Sequence, residues 1–442
     1  MVAPVPFLTF EVREAPEPAL PTTQTTRCSF DSIAAPQMFT SANASPAAVY
    51  LHIPFCHRRC FYCDFPIKVI GDRRDGSNFP LVDRYLEVLI AEIEATPPGD
   101  RLLETLFFGG GTPSLLTVSQ LQTLLQVLHR QFNWISDPEI SIEIDPGTFD
   151  RSKLEGYRDL GVNRFSLGVQ AFQNSLLHGA GRSHTLADVY TALDHFHQAQ
   201  IPNWSLDLIS GLPLQSIEDW DGSLQEAIGA RPTHLSLYDL VLEPQTVFGK
   251  RYPDGQNSQA APLPPEELSA EFYRLSHDRL THAGYEHYEI SNYAQPRHQC
   301  RHNRTYWTNQ PYYGFGMGAT SYLRGQRVAR PRTLEAYETW VQHYCQGGPD
   351  FWSQYETDTP TDRFLDTLML GLRLQEGVDL NGIAPLCPQH IDPLLKALTP
   401  YRQRNWVRYH YPPEQPYPHL QLVPPEGFLF SNQVLSTIFS HF

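Results

Sequence analysis

Long apolar stretches are missing from this sequence: no run of about 18 apolar residues occurs, which excludes a membrane-spanning helix. The opening MVAPVPFLTFEVREAPEPAL lacks the basic region and continuous apolar core of a secretory signal, and its acidic residues argue against a transit peptide. A cytoplasmic location is therefore expected. Cysteine is scarce, with seven in 442 residues, an odd count that suits no disulfide framework. Basic residues are in deficit, 33 Lys and Arg against 48 Asp and Glu, and the formal net charge of -15 would repel a phosphate backbone unless the basic residues were gathered on one face. Nucleic acid is not expected as a main partner.

What is present is a chain long enough for one large domain and an accessory one. Residues 1–46 are rich in Pro, Ala, Ser and Thr without sustained apolar period, and are expected to form a disordered tail; Met38 near its end is an alternative start. From there short apolar runs, Gly or Pro turns and segments of helical period alternate, the pattern of βα units building a parallel sheet. The expected strands are Val49 to Ile53, Thr105 to Phe108, Ile140 to Ile144, Arg164 to Leu167, Trp204 to Ile209 and His234 to Val241. Six in series suggest a partial barrel. Leu81, Val82, Tyr85, Leu86, Leu89, Ile90 and Ile93 mark the buried face of a helix, and functional residues are expected at the C-terminal ends of the strands. The expected organisation is a barrel with its extension over residues 47–345 and a small α+β domain over 361–442. That second domain holds a helix from Asp362 to Arg373 and ends in GFLFSNQVLSTIF, which reads as a turn, strand and helix.

Three cysteines crowd one loop after the first strand. In LHIPFCHRRCFYCDF, Cys56, Cys60 and Cys63 keep the spacing Cys-x3-Cys-x2-Cys. Three close thiolates without a fourth can hold three irons of a 4Fe–4S cluster and leave the fourth iron open. A zinc site completed by His52 or His57 is the alternative, although closure by His57 from within the loop is sterically awkward.

Other polar residues fall near strand ends. Gly109-Gly110-Gly111-Thr112-Pro113-Ser114 follows the second strand, where glycine lets backbone approach a ligand; a plain turn is the alternative. Glu143, Gln170, Arg182 and Asp207 stand at or just beyond later strands. Singly each reads equally as a helix cap or surface partner; together they fit one concave site. Asp207, inside an apolar run, needs a partner, and Arg182 either serves as that partner or faces a ligand carboxylate. His302, Asn303, Tyr306 and Trp307 form His-Asn-x-x-Tyr-Trp, an imidazole beside flat aromatic walls of the kind that holds haem, or else a core cluster capping a turn. Cys300 reads as an alternative thiolate or a small buried residue, and Cys28, Cys345 and Cys387 carry no role.

The cluster loop, GGGTPS and the βα repeats resemble the radical S-adenosylmethionine superfamily. The resemblance implies a partial (β/α)6 TIM-like barrel in the α/β class. It also implies a cofactor whose amino and carboxylate groups chelate the open iron and whose reductive cleavage gives a 5′-deoxyadenosyl radical. Within it, the chain from about Ala48 to Phe442 is similar to the oxygen-independent coproporphyrinogen III oxidase-like family, with YEISNYA, HNRTYW, LGLRLQEGVDL and the terminal segment in common. On that resemblance Tyr50, Tyr62, Gly110, Gly111, Thr112, Glu143, Gln170, Arg182 and Asp207 match cofactor contacts, and Cys56, Cys60 and Cys63 hold the cluster.

Two departures separate the chain from the dehydrogenases of that family: Phe65 stands where they carry a further cysteine, and the tail does not resemble their substrate-covering arm. The resemblance is instead to the haem-chaperone group. It implies haem as a third ligand, His302, Asn303, Tyr306 and Trp307 as its candidate contacts, and acceptor haemoproteins, respiratory ones among them, as partners. Oxidative decarboxylation of coproporphyrinogen III is the alternative, and a structural iron–sulfur or zinc protein a third. Homodimerisation and peripheral membrane contact remain open.

Overall fold

Alternation of apolar and polar residues along six parallel strands separates an outer face from an inner one. The structure, a computed structural model, describes residues 45–72, 75–77, 79–253 and 261–442, without the side chains of 348–350. The strands are β1 (Ala48–Ile53), β2 (Leu103–Gly110), β3 (Trp134–Ile144), β4 (Arg164–Gln170), β5 (Trp204–Ser210) and β6 (His234–Asp239). They lie side by side in chain order, each parallel to the next. Helices α1 (Pro80–Ala95), α2 (Val118–Gln131), α3 (Arg151–Asp159), α4 (Leu186–Gln198) and α5 (Ile217–Ala230) make the crossovers.

Val49, Leu51, Leu106, Phe108, Ile140, Ile142, Phe165, Leu167, Leu206 and Leu235 pack with Leu89 and Ile93 of α1 and Leu124 of α2 in one core. Burying each such side chain contributes roughly 1.5–3 kcal/mol before entropy is counted. The intervening residues, Tyr50, Glu143, Ser166, Asp207 and Ser236 among them, face the concavity instead. Parallel strands covered on both faces normally read as continuous apolar runs, so this alternation reflects a polar lumen. Thr117–Gln120, Thr185–Asp188 and Ser216–Asp219 form capping boxes that start α2, α4 and α5.

The sheet stays open. Tyr313–Phe315 adds in parallel outside β1, while Asn292–Ala294 adds antiparallel outside β6 and is followed by Glu286–His287. Helix α6 (Glu266–His282) leads into that antiparallel edge. On the other side, Arg330 Nε donates to Glu92 Oε1 of α1 at 2.8 Å, and Tyr337 Oη and Gly316 N donate to Glu92 Oε2 at 2.6 and 2.9 Å. This buried network fastens the extension onto α1.

A second apolar cluster gathers Phe364, Leu368, Val378, Leu380, Ile391, Leu394, Val407, Leu420, Phe428, Val434 and Ile438 around a three-stranded antiparallel sheet. Tyr273 of α6 belongs to it too.

The six strands expected from the sequence are all present, with two boundary differences of note. β3 begins at Trp134 because Trp134 pairs with Leu103 ahead of a register shift, across exposed polar residues that carry no apolar signal. β6 ends at Asp239 rather than Val241. The terminal segment differs in kind: Glu426–Leu429 and Ser431–Phe439 are helical, and no strand forms there. Phe428, Val434 and Ile438 reach one core from helical turns, and the last strand, His419–Leu422, comes earlier. The expected tail, Met38 and Cys28 lie outside the described residues, apart from 45 and 46 at the tail's end.

Candidate functional site

At the C-terminal ends of the strands a short parallel pair, Phe55–Cys56 with Lys68–Val69, pins both ends of the cysteine loop. Cys63 N donates to Cys60 O at 3.2 Å, and Arg59 Nη1 donates to the carbonyls of Cys63 and Phe65 at 3.1 and 3.0 Å. Cys56, Cys60 and Cys63 are partly exposed free thiols. Burial pushes the Cys63 thiol up to about 11, and Cys56 higher still.

The three sulfurs do not meet on one ion position: among the described residues no three His, Cys, Asp or Glu side chains do. Zinc requires such convergence, with sulfur about 2.3 Å from the metal. His52 is also engaged, its Nδ1 3.1 Å from Tyr50 Oη and its Nε2 2.9 Å from Pro66 O.

The glycine turn approaches the thiols as closely as backbone can. A Cβ on Gly111 would stand 2.9 Å from Cys56 Sγ and 2.7 Å from Phe55 O. Gly110, at φ +115°, donates its N–H to Glu143 Oε2 at 3.0 Å. Thr112 Oγ1 donates to Asp145 Oδ2 at 3.1 Å and lies 3.6 Å from Cys56 Sγ.

Arg182 connects the rest. Its Nη1 reaches Cys60 Sγ at 3.5 Å and Tyr62 Oη at 3.3 Å, while Nη2 donates to Gly168 O at 3.1 Å and to Asp145 Oδ1. Of the two readings of Arg182, the pairing with Asp207 does not form: the acid on Arg182 is Asp145. Asp207 is held instead by Ser166 Oγ at 2.9 and 3.0 Å and Ser205 Oγ at 3.2 Å. Gln170 takes the left-handed conformation, φ +70°, at a register shift in the β4–β5 pairing, which re-aims its side chain at the end of the strand.

Two carboxyls thus stand close in a poorly hydrated concavity. Burial and the charge of Asp207 raise Glu143 to about 8; burial raises Asp207 to about 6 against the opposing serine hydroxyls. Tyr50, Tyr62, Gly110, Gly111, Thr112, Glu143, Gln170, Arg182 and Asp207 come from five strand ends and their loops. Asp145 was not among the expected residues. Its signal was its place two residues beyond Glu143, on the same face as β3 ends.

The His-Asn-x-x-Tyr-Trp segment is a helix, α7 (Arg301–Trp307). His302 is fully buried, stacked on Phe107 at 5.1 Å, with Nδ1 2.8 Å from Thr105 Oγ1 and Nε2 2.7 Å from Tyr306 Oη. Both ring nitrogens are therefore in use, and burial lowers the ring to about 3. In this structure the ring holds Tyr306 and Thr105. Cys300 is likewise internal, accepting from Asn303 N at 3.5 Å and lying 3.6 Å from Glu139 Oε1, its thiol pushed up to about 12 by burial. Asn303, Tyr306 and Trp307 are partly exposed.

Residues 50–227 match the radical SAM superfamily. The chain is 46% identical over 416 residues to the heme chaperone HemW of Synechocystis sp., covering 91% of this chain and 98% of that one. The chain belongs to the HemW family. The heme chaperones HemW of Bacillus subtilis and Escherichia coli are each 34% identical, over 79% of this chain and 89% of theirs. The structure of coproporphyrinogen III oxidase (HemN) from Escherichia coli, a radical SAM enzyme, superposes with a TM-score of 0.73 at 23% identity, over 90% of this chain and 91% of that one. That likeness establishes the fold, a radical SAM partial barrel. No helix among the described residues is long and apolar enough to cross a membrane.

Proposed function

We propose that this protein carries a 4Fe–4S cluster on Cys56, Cys60 and Cys63, binds S-adenosylmethionine beside it, and holds haem for delivery to acceptor haemoproteins. The observation that carries the haem part is 46% identity to a heme chaperone over nearly the whole length of both chains. The cofactor part rests on Arg182, which reaches the thiol loop while Asp145 and Gly168 fix its other arm.

When bound, the cluster supplies an open iron for the amino and carboxylate groups of S-adenosylmethionine. Around it, the Gly110–Gly111 turn offers backbone polar groups without Cβ obstruction, and Glu143 accepts a proton or a donor at the lumen wall. Thr112 and Arg182 present donors toward Cys56 and Cys60. Tyr50 and Tyr62 wall the cofactor, with Gln170 and Asp207 on the far strands. Haem contact falls to Asn303, Tyr306 and Trp307 on the exposed side of α7, positioned from beneath by His302.

The same proposal divides the chain near residue 361 into a barrel with its extension and a C-terminal domain, and places it in the cytoplasm. Phe65, 56% exposed on the thiol loop, argues against coproporphyrinogen decarboxylation because it replaces the further cysteine of the dehydrogenases.

The deciding experiment incubates the anaerobically reconstituted protein with reductant, S-adenosylmethionine and coproporphyrinogen III beside an authentic dehydrogenase. Haem titration and transfer to an apo-haemoprotein follow. No protoporphyrinogen, tight haem uptake and transfer are expected. Turnover of coproporphyrinogen, or absence of haem uptake, overturns the proposal.

A further inference from the structure

Among the described residues, one largely buried arginine lies in the field of an acid without forming an ion pair with it. Buried arginines elsewhere are paired: Arg182 with Asp145, Arg330 with Glu92 at 2.8 Å, and Arg164 with Glu139 at 3.9 Å. Arg373, just past the helix Pro360–Gly371, has no ion pair and no side-chain hydrogen bond among the described residues, and its Nε is sealed from solvent without a partner. Its guanidinium lies over the Trp307 ring at 4.5 Å, and Trp307 Nε1 is a second buried donor with no acceptor.

The backbone holds this pair rigidly. Ile290 N donates to Arg373 O at 3.1 Å and Gln375 N to Tyr288 O at 2.9 Å, so the arginine sits on a short antiparallel bridge to the 288–290 segment. Leaving a guanidinium Nε and an indole N–H sealed and unpaired is costly, and two orphan donors stacked on each other call for an acceptor group, above all an anionic one. Glu289 acts on Arg373 through its field but does not reach it: no ion pair forms, Oε1 is taken by Ser291 N at 3.1 Å, Oε2 is buried without a partner, and burial raises the carboxyl against the opposing pull of Arg373. Leu237 N of β6 donates to Ser291 O at 2.8 Å, so the 288–291 segment that carries Arg373 runs along β6 beside Ser236, whose hydroxyl lies 3.4 Å from Ser205 Oγ under Asp207.

We infer that Arg373 and Trp307 form a carboxylate anchor in the barrel lumen, accepting a propionate of the bound tetrapyrrole. The guanidinium would bind the carboxylate oxygens and the indole N–H would complete the set, with cation–π stacking holding both donors in place before the ligand arrives. The inference rests on the haem proposal above and extends it from the surface of α7 to a defined contact inside the lumen.

The test compares haem with haem dimethyl ester, which keeps the ring and iron but removes both negative charges. Binding is measured by optical titration of the reconstituted full-length protein. The unmodified protein is expected to prefer haem by about tenfold or more, in line with a charge-assisted contact. Arg373→Gln should bind the ester as the unmodified protein does while losing most of that preference. Trp307→Phe, which keeps a ring under the guanidinium and deletes only the N–H, should lose a smaller part, roughly threefold. Equal binding of haem and ester by the unmodified protein overturns the anchor, with no variant needed, and leaves haem binding standing. A preference that survives in Arg373→Gln also overturns it. Uptake of neither compound overturns the haem proposal and the anchor with it.

Discussion

Arg182 and Asp145 form a buried ion pair that leaves one guanidinium nitrogen aimed at the Cys60 sulfur, 3.5 Å away. Asp145 also accepts from Thr112, which in turn lies beside Cys56. One carboxylate thereby orients the donors facing two of the three thiols. The arrangement resembles the outer-shell support of metal sites, where hydrogen-bonding partners fix the geometry of the ligating groups.

Asp145→Asn should therefore keep the cluster but loosen its surroundings. Iron content is expected to stay near four per chain, while affinity for S-adenosylmethionine falls roughly tenfold, the lower range for loss of such support. Anaerobic calorimetry with parallel iron analysis measures both. Unchanged cofactor affinity would show that Arg182 needs no acid to hold its place.

Cys56→Ala should abolish the broad absorbance at about 400 nm expected of a cluster and the bound iron with it. The same substitution at Cys345, an exposed cysteine away from the loop, should leave both intact. Retention of four irons in Cys56→Ala would remove the cluster from this loop.

Stability of the metal-free protein should peak near neutral pH, with two arms of opposite origin. Burial lowers His52 and His184 to about 4 and His287 and His302 to about 3. Below their ordinary value of 6.5 the unfolded chain takes up protons that the native rings refuse, so stability falls as the pH drops from there. Glu143 and Asp207 act the other way. Their native values, about 8 and 6, exceed those of the unfolded chain, so the native state holds protons the unfolded state has lost and stability declines as pH rises toward 8. Glu143→Gln should flatten that alkaline arm and stabilise the metal-free protein at pH 8 by about 1 kcal/mol, discounted for its partial exposure, while weakening cofactor binding. Denaturant titrations at pH 5, 6.5 and 8 would reveal a Glu143→Gln protein no more stable at pH 8 if the carboxyl is not strained.

His302→Ala should destabilise the protein whether or not haem is present, because it empties a space against Phe107 and strands Thr105 Oγ1 and Tyr306 Oη. A loss of about 2–4 kcal/mol is expected for a buried ring with two hydrogen bonds. Thermal unfolding of the haem-free protein measures it. An unchanged midpoint combined with lost haem binding would return the imidazole to the role of ligand.

The strand pattern, the thiol spacing and the residues at strand ends were legible in the chain because each obeys a local rule. Outer-face residues such as Leu106 and Phe108 recur every second position, a turn needs its glycines where Gly110 and Gly111 stand, and a cluster needs thiols at short range. The polar lumen residues could be picked out for the same reason: Glu143 and Asp207 interrupt apolar runs.

Partnership was not legible, because it depends on contacts between residues far apart in sequence. Nothing near Arg182 indicates that its acid is Asp145, 37 positions earlier, rather than Asp207. His302 has the spacing of a ligand, and only the placement of Thr105, 197 residues away, shows its Nδ1 to be occupied. The terminal FLF reads as strand by composition but becomes helical because the cluster around Phe428 is reached that way. By itself the sequence determined the βα order, the thiol loop and the family, all carried by short-range pattern. The tertiary structure alone decided which charges are paired, as Arg182 is with Asp145, and which, as at Arg373, form no ion pair, since pairing in a low-dielectric interior is settled by distance in space.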